Sequence, residues 1–143
     1  MIIFTEVRKQ LSVDDRREVK EIFDKLMSDR SIDLLKPSLS LVKKKLERLE
    51  RSDDKYQRSL LAITKASTSE IIVKEGVDSS SKYLMLVAVS YLCDPYDVIP
   101  DIDPEHGYKD DMYMFSLALA ELKKSKPHLH ETLQYAYFRA LEE

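Results

Sequence analysis

Turn-forming residues are scarce in this chain: two glycines and five prolines in 143 positions. A β sandwich, which needs punctuation about every eight to twelve residues, is excluded on that count. Tryptophan is absent and cysteine nearly so. The lone Cys93 rules out an intramolecular disulfide and a CxxC metal site, and it suits a reducing cytoplasm. Long hydrophobic runs are missing too. The longest, residues 83–93, covers about 16 Å as a helix against a bilayer core of roughly 30 Å, so it reads as a buried core helix and not a membrane span. The opening MIIFTEVRKQ has no basic segment ahead of an apolar core and is not read as a secretory signal. A net charge of −3 gives no general affinity for nucleic acid or an acidic membrane.

What is present is helical periodicity. Hydrophobic residues make up 43% of the chain and charged ones 34%, a balance ordinary for a helix-rich globular domain. One domain over 1–143 is expected, all-α, a small helical bundle. Residues 2–7 fit a short strand or a helix start equally well. Ser12 with Asp15 forms a capping pair for a helix over about 13–28, which places Val13, Val19, Ile22, Phe23 and Leu26 near one face. Pro37 suits the first turn of a following helix. From there Leu39, Val42, Leu46 and Leu49 step by three and four, and Tyr56, Leu60 and Ile63 continue the rhythm. Asp53 interrupts it. Residues 38–75 therefore form one long helix or two broken at 52–54, with the break favoured because Ser52 is a good N-cap. Gly76 lies just past the end of this stretch, and Asp78 with Ser79–Ser81 caps the next.

The last third holds two core helices, about 79–93 and 110–124, joined by an elbow rich in proline and aspartate. Pro95, Pro100 and Pro104 stiffen that elbow. Pro127 opens a final helix to about Leu141, with Leu129, Leu133, Ala136, Tyr137 and Ala140 buried. Charge is uneven. Between Cys93 and Asp111 stand seven acids and one lysine, whereas between Lys36 and Arg58 stand eight basic and four acidic residues. The basic stretch reads first as a solvated helix face. Nucleic-acid binding through Lys43, Lys44, Lys45, Arg48, Arg51 and Arg58 is unfavoured, since Tyr56 is the one aromatic available there for stacking.

The run from Lys82 to Asp111, KYLMLVAVSYLCDPYDVIPDIDPEHGYKDD, resembles the signature of the bacterial YkvA-like domain of unknown function. Lys82, Tyr91, Pro95, Asp97, Ile99, Pro100, Asp101, Pro104, Gly107, Tyr108, Asp110 and Asp111 carry the likeness, which spans about 80–122 and leaves 1–76 as an N-terminal helical extension. The resemblance implies a helical hairpin and offers no reaction, cofactor or catalytic residue. Where the family is usually apolar, between Asp101 and Asp110, this chain has Asp103, Glu105, His106 and Lys109, so its elbow should face water or a polar ligand.

Two functional readings follow. In the first, the protein is a small cytoplasmic, non-enzymatic interaction or regulatory module. Its elbow docks a protein partner or a second copy through Asp103, Glu105, His106 and Lys109, and Asp97, Asp101, Asp110 and Asp111 cap helices and shape turns. Met85, Met112 and Met114 would leave room for an adaptable helical contact. In the second, Asp97, Asp101, Asp110 and Asp111 hold Mg²⁺ or Ca²⁺, both suited to hard oxygen ligands, and a metal-dependent hydrolase becomes conceivable. The segment from Asp101 is not an EF-hand loop, because His106 occupies the glycine position and Met112 that of the bidentate glutamate. No phosphate loop, HExxH, GxSxG or Cys–His pattern occurs. His128 and His130, two apart on a helix, cannot easily share a metal.

Overall fold

The computed structural model describes residues 1–94 and 108–143. Among these it contains eight α-helices and no strand: α1 (Ile2–Glu6), α2 (Val13–Asp29), α3 (Ile32–Leu39), α4 (Val42–Glu50), α5 (Lys55–Ser67), α6 (Ser79–Cys93), α7 (Lys109–Ser125) and α8 (Pro127–Leu141). A 3₁₀ turn (Val7–Gln10) follows α1, and a π turn (Thr68–Ile72) extends α5. The fold is all-α. No helix among the described residues is long and apolar enough to cross a membrane.

α6 is the centre. Its side chains from Ser81 to Cys93 are buried except for Lys82 and Leu86, which are partly covered. A helix apolar on every side must be enclosed. α2, α3, α4, α7 and the π turn all pack against it. α7 in turn contacts α1, α2, α5 and α8, so a single apolar cluster runs from Phe4 to Tyr137. Phe4 fastens the N-terminal helix to that cluster: its ring centroid lies 5.6 Å from Tyr137, edge-on, and 6.4 Å from Phe115. Such aromatic arrangements are favoured by the ring quadrupoles.

Capping residues set the boundaries. Ser12 Oγ accepts the Asp15 N–H at 3.0 Å, starting α2 as the sequence indicates. Asp78 caps α6: Oδ2 accepts the Ser81 N–H at 3.0 Å and Oδ1 accepts the Ser81 hydroxyl at 2.9 Å. α2 ends at Arg30, which adopts a left-handed conformation (φ 48°) and donates from its guanidinium to Ser80 Oγ at 3.0 Å. Close by, the Tyr83 hydroxyl donates at 2.6 Å to the Leu26 carbonyl, which also accepts the Arg30 N–H, and so ties α6 to the last turn of α2. At the far end of α6, Asp94 is extended (φ −76°, ψ 118°), as a residue before proline must be.

Several expectations change. Residues 2–6 are helical. Val13 is 67% exposed, because as the first residue of α2 it precedes the point where the helix reaches the core. Pro37 does not open a helix but sits inside α3, which starts five residues earlier behind Ser31. The helix tolerates it because it ends two residues later, where Ser40 folds back and donates to the Pro37 carbonyl at 2.7 Å. Residues 38–75 are interrupted near 52–54 as preferred and again, unexpectedly, at Ser40 and Leu41. α5 begins at Lys55 with Asp54 as its N-cap, and Ser52 Oγ accepts the Asp54 N–H at 3.1 Å instead. Met85, Met112 and Met114 are wholly buried, so they form core and not contact surface.

The hydrogen bonds from Ser81 hold the Asp78 carboxyl below its ordinary range. A carboxylate so depressed stabilises the fold above its unfolded pKa and loses that effect as pH falls through the folded one. Asp78→Ala should therefore cost about 1 kcal/mol near neutrality. The gap between variant and parent should narrow as pH falls through the lowered pKa of Asp78. Urea denaturation at pH 7 and pH 2.5 measures both quantities.

Candidate functional site

α6 delivers its last turn, and α7 its first, to the two ends of the elbow. Asp110 and Asp111 stand in the first turn of α7 and are both fully buried. Neither caps the helix; the N-cap position belongs to Tyr108, which makes no side-chain cap bond. The reason is a cross-helix partner: the Tyr91 hydroxyl donates to Asp110 Oδ2 at 2.8 Å and ties α6 to α7. A helix N-terminus favours negative charge, which lowers the cost of burying the two carboxylates there.

α4 contributes a residue that sequence reasoning placed on the wrong face. Lys45 is 7% exposed, with its ammonium 5.3 Å from the centre of the Tyr108 ring. A desolvated cation over an aromatic face gains roughly 2 kcal/mol. The signal was in the spacing: Lys45 is three residues after Val42 and four before Leu49, so the apolar stripe of α4 passes directly over it. The basic row therefore presents Lys43, Lys44, Arg48, Arg51 and Arg58 to solvent without it.

Cys93, 2% exposed, closes this polar base beneath the hairpin end. Burial pushes its thiol pKa up to about 11, and the Lys45 charge pulls it back only in part. The thiol is accordingly a packed apolar-like group and not a nucleophile.

Of the residues proposed to bind a metal, Asp110 and Asp111 are both buried as consecutive residues in the first turn of α7; Asp97 and Asp101 lie outside the described residues. Of those proposed for partner recognition, Lys109 is half-buried on the first turn of α7, whereas Asp103, Glu105 and His106 also lie outside the described residues. Among the described residues no group of three or more His, Cys, Asp or Glu side chains could hold a metal. Lys82 forms no ion pair with a described residue. Two hollows, of about 260 and 300 Å³, lie away from the hairpin end. One is bordered by Glu50, Arg58 and Lys65, the other by Phe4, Lys123 and His130. In the second, burial and then the Lys123 charge lower the His130 pKa, which keeps that imidazole neutral near pH 7. His128 is exposed on the other side of α8, so the two histidines do not converge.

This site defines a helical hairpin closed at its elbow end by a buried polar cluster. Residues 81–117 match the family model described as "Protein of unknown function (DUF1232)". That range takes in nearly all of α6 and the first half of α7, and agrees with the resemblance carried by Lys82 to Asp111. No curated protein and no solved structure matches the chain.

Two measurements check the cluster. Tyr91→Phe removes the donor to a buried carboxylate and should cost roughly 1–3 kcal/mol, read as a lower urea midpoint; an unaltered midpoint would mean that the tie carries no weight. The native Cys93 thiol should resist a thiol reagent at pH 8 and react at once in urea. Because the native group keeps its proton to about pH 11 and an unfolded thiol releases it near 9, the unfolded chain binds fewer protons across that window. Stability should fall with rising pH there, and Cys93→Ala should make the slope shallower, leaving the part due to Tyr83 and Tyr137, whose pKa values burial also raises.

Proposed function

We propose that the protein is a small cytoplasmic, non-enzymatic docking module whose elbow is the recognition surface. The observation that carries this reading is the tie between Tyr91 and Asp110 at 2.8 Å, with Asp111 also buried on the same turn and Lys45 buried over the Tyr108 ring. A loop meant for recognition works best from a rigid base. Here the base is a hydrogen-bonded cluster packed between three helices, and carboxylates committed to it are not available to a partner. The elbow's other acids, with Asp103 and Glu105 among them, then give the surface its sign, and a basic patch on a protein is the partner that sign suits. His106 and Lys109 would adjust the fit. Nothing in the arrangement of Tyr91, Tyr108, Lys45 and Cys93 calls for a reaction: the thiol is held protonated, and the lysine faces a tyrosine ring.

A second reading rests on Asp110 and Asp111 being wholly buried side by side. Two such carboxylates, joined by Asp97 and Asp101 from the elbow, would suit Mg²⁺ or Ca²⁺. One pair of experiments separates the two. Partners retained by the full chain from its host's lysate are compared with those retained by Asp103→Asn/Glu105→Gln, and the parent chain, stripped with chelator, is titrated calorimetrically with Mg²⁺, Mn²⁺ and Ca²⁺. The docking reading expects a partner that the double variant loses, and no heat from the metals. Capture unaffected by the double substitution removes the proposed surface. Heat together with a raised melting temperature selects the cation reading.

A further inference from the structure

α8 buries Leu133 and Tyr137 against α5 and α7, with Leu129, Ala136 and Ala140 half-buried beside them. Its opposite face is exposed along the whole helix, and that face carries two large aromatic side chains: Tyr135, 68% exposed, and Phe138, 45% exposed. They are three residues apart and so neighbours on one side. The Arg139 guanidinium lies 5.8 Å from the centre of the Tyr135 ring.

The charges around Tyr135 are arranged symmetrically. Glu131 stands four residues before it and Arg139 four after; His128 stands seven before and Glu142 seven after. All four are exposed. A two-fold axis passing through Tyr135 brings each residue opposite the one equally far on the other side. Two copies of α8 laid antiparallel thus set Glu131 against Arg139 and His128 against Glu142, each pairing occurring twice. Phe138 falls on Thr132, and the two Tyr135 rings meet at the axis. A parallel alignment would instead oppose Glu131 to Glu131 and Arg139 to Arg139. Self-complementarity of this kind is what an isologous two-fold interface requires.

We propose that the outer face of α8 is a homodimer interface, antiparallel and centred on Tyr135, whose occupant is a second copy of this chain. The inference uses none of the elbow residues and stands apart from the docking function. One pair of four-turn helices buries less than the roughly 1,200–2,000 Å² of a standard interface, so the dimer is weak and depends on concentration.

Sedimentation velocity on the full chain, from about 5 to about 500 μM, is the test. A dimer fraction rising with concentration and falling with added salt is expected, and Tyr135→Lys should leave a monomer throughout. Glu131→Arg and Arg139→Glu each place like charges across the axis twice and should weaken the dimer on the order of tenfold. Glu131→Arg with Arg139→Glu in one chain recreates the pairs in reverse and should restore it. Positions 131 and 139 are two turns apart on one helix, so rescue reports contact between copies and not within one. These residues are exposed, and unaltered melting temperatures confirm that the variants fold. A chain that is monomeric at every concentration, a dimer indifferent to the single substitutions, or a double variant without rescue each overturns the proposal.

Discussion

A helix that turns apolar side chains in every direction sets the terms for everything around it. α6 offers solvent almost nothing, so at least three neighbours must cover it, and each must bring its own apolar stripe. That requirement explains why the short helices α3 and α4 exist at all. Each is too short to be stable by itself. Leu35 on α3 and Leu49 on α4 nevertheless reach the core and are buried there. The serines that α6 buries are satisfied locally: Ser90 donates to the Val87 carbonyl at 2.9 Å, and Ser81 bonds to the Asp78 cap.

The elbow end of the hairpin obeys a different economy. Apolar contact fixes how closely α6 and α7 pack, but it is tolerant of small slips along their length. The Tyr91–Asp110 hydrogen bond is not, because moving either helix by one residue would leave a buried carboxylate oxygen without its donor. Buried ionic groups often add little net stability relative to apolar replacements. Their contribution here is to single out one alignment of the two helices and so fix where the elbow begins and ends.

The long helices were legible because two independent signals agreed. For α6, the Asp78 cap and Pro95 bracket an unbroken apolar run, and both boundaries fall where they were expected. For α8, Pro127 and the stripe from Leu129 to Ala140 agree in the same way. Legibility failed where one local rule spoke alone. Pro37 is favoured at a helix start, but the weak Ser31 cap six residues before it won because it lets Leu35 reach the core. Lys45 looked like one of three identical solvated lysines, and only its phase relative to Val42 and Leu49 set it apart. The burial of Asp110 could not be read from its neighbours in sequence, since its partner is a tyrosine 19 positions earlier on another helix. Asp97, Asp101, Asp103, Glu105 and His106 fall outside the described residues.

The Tyr83 hydroxyl on the Leu26 carbonyl has a consequence for how this chain can be divided. The last turn of α2 is held to α6 by a side chain, and the ring of Tyr108, at the start of α7, is covered by an ammonium from α4. At both ends of the hairpin the complement comes from helices that lie well outside it in sequence. A fragment cut to the hairpin alone would lose a covering helix at each end, and the remainder would lose the side-chain tie on α2. The hairpin is the inner part of a shared core, and no cut around it falls in a linker.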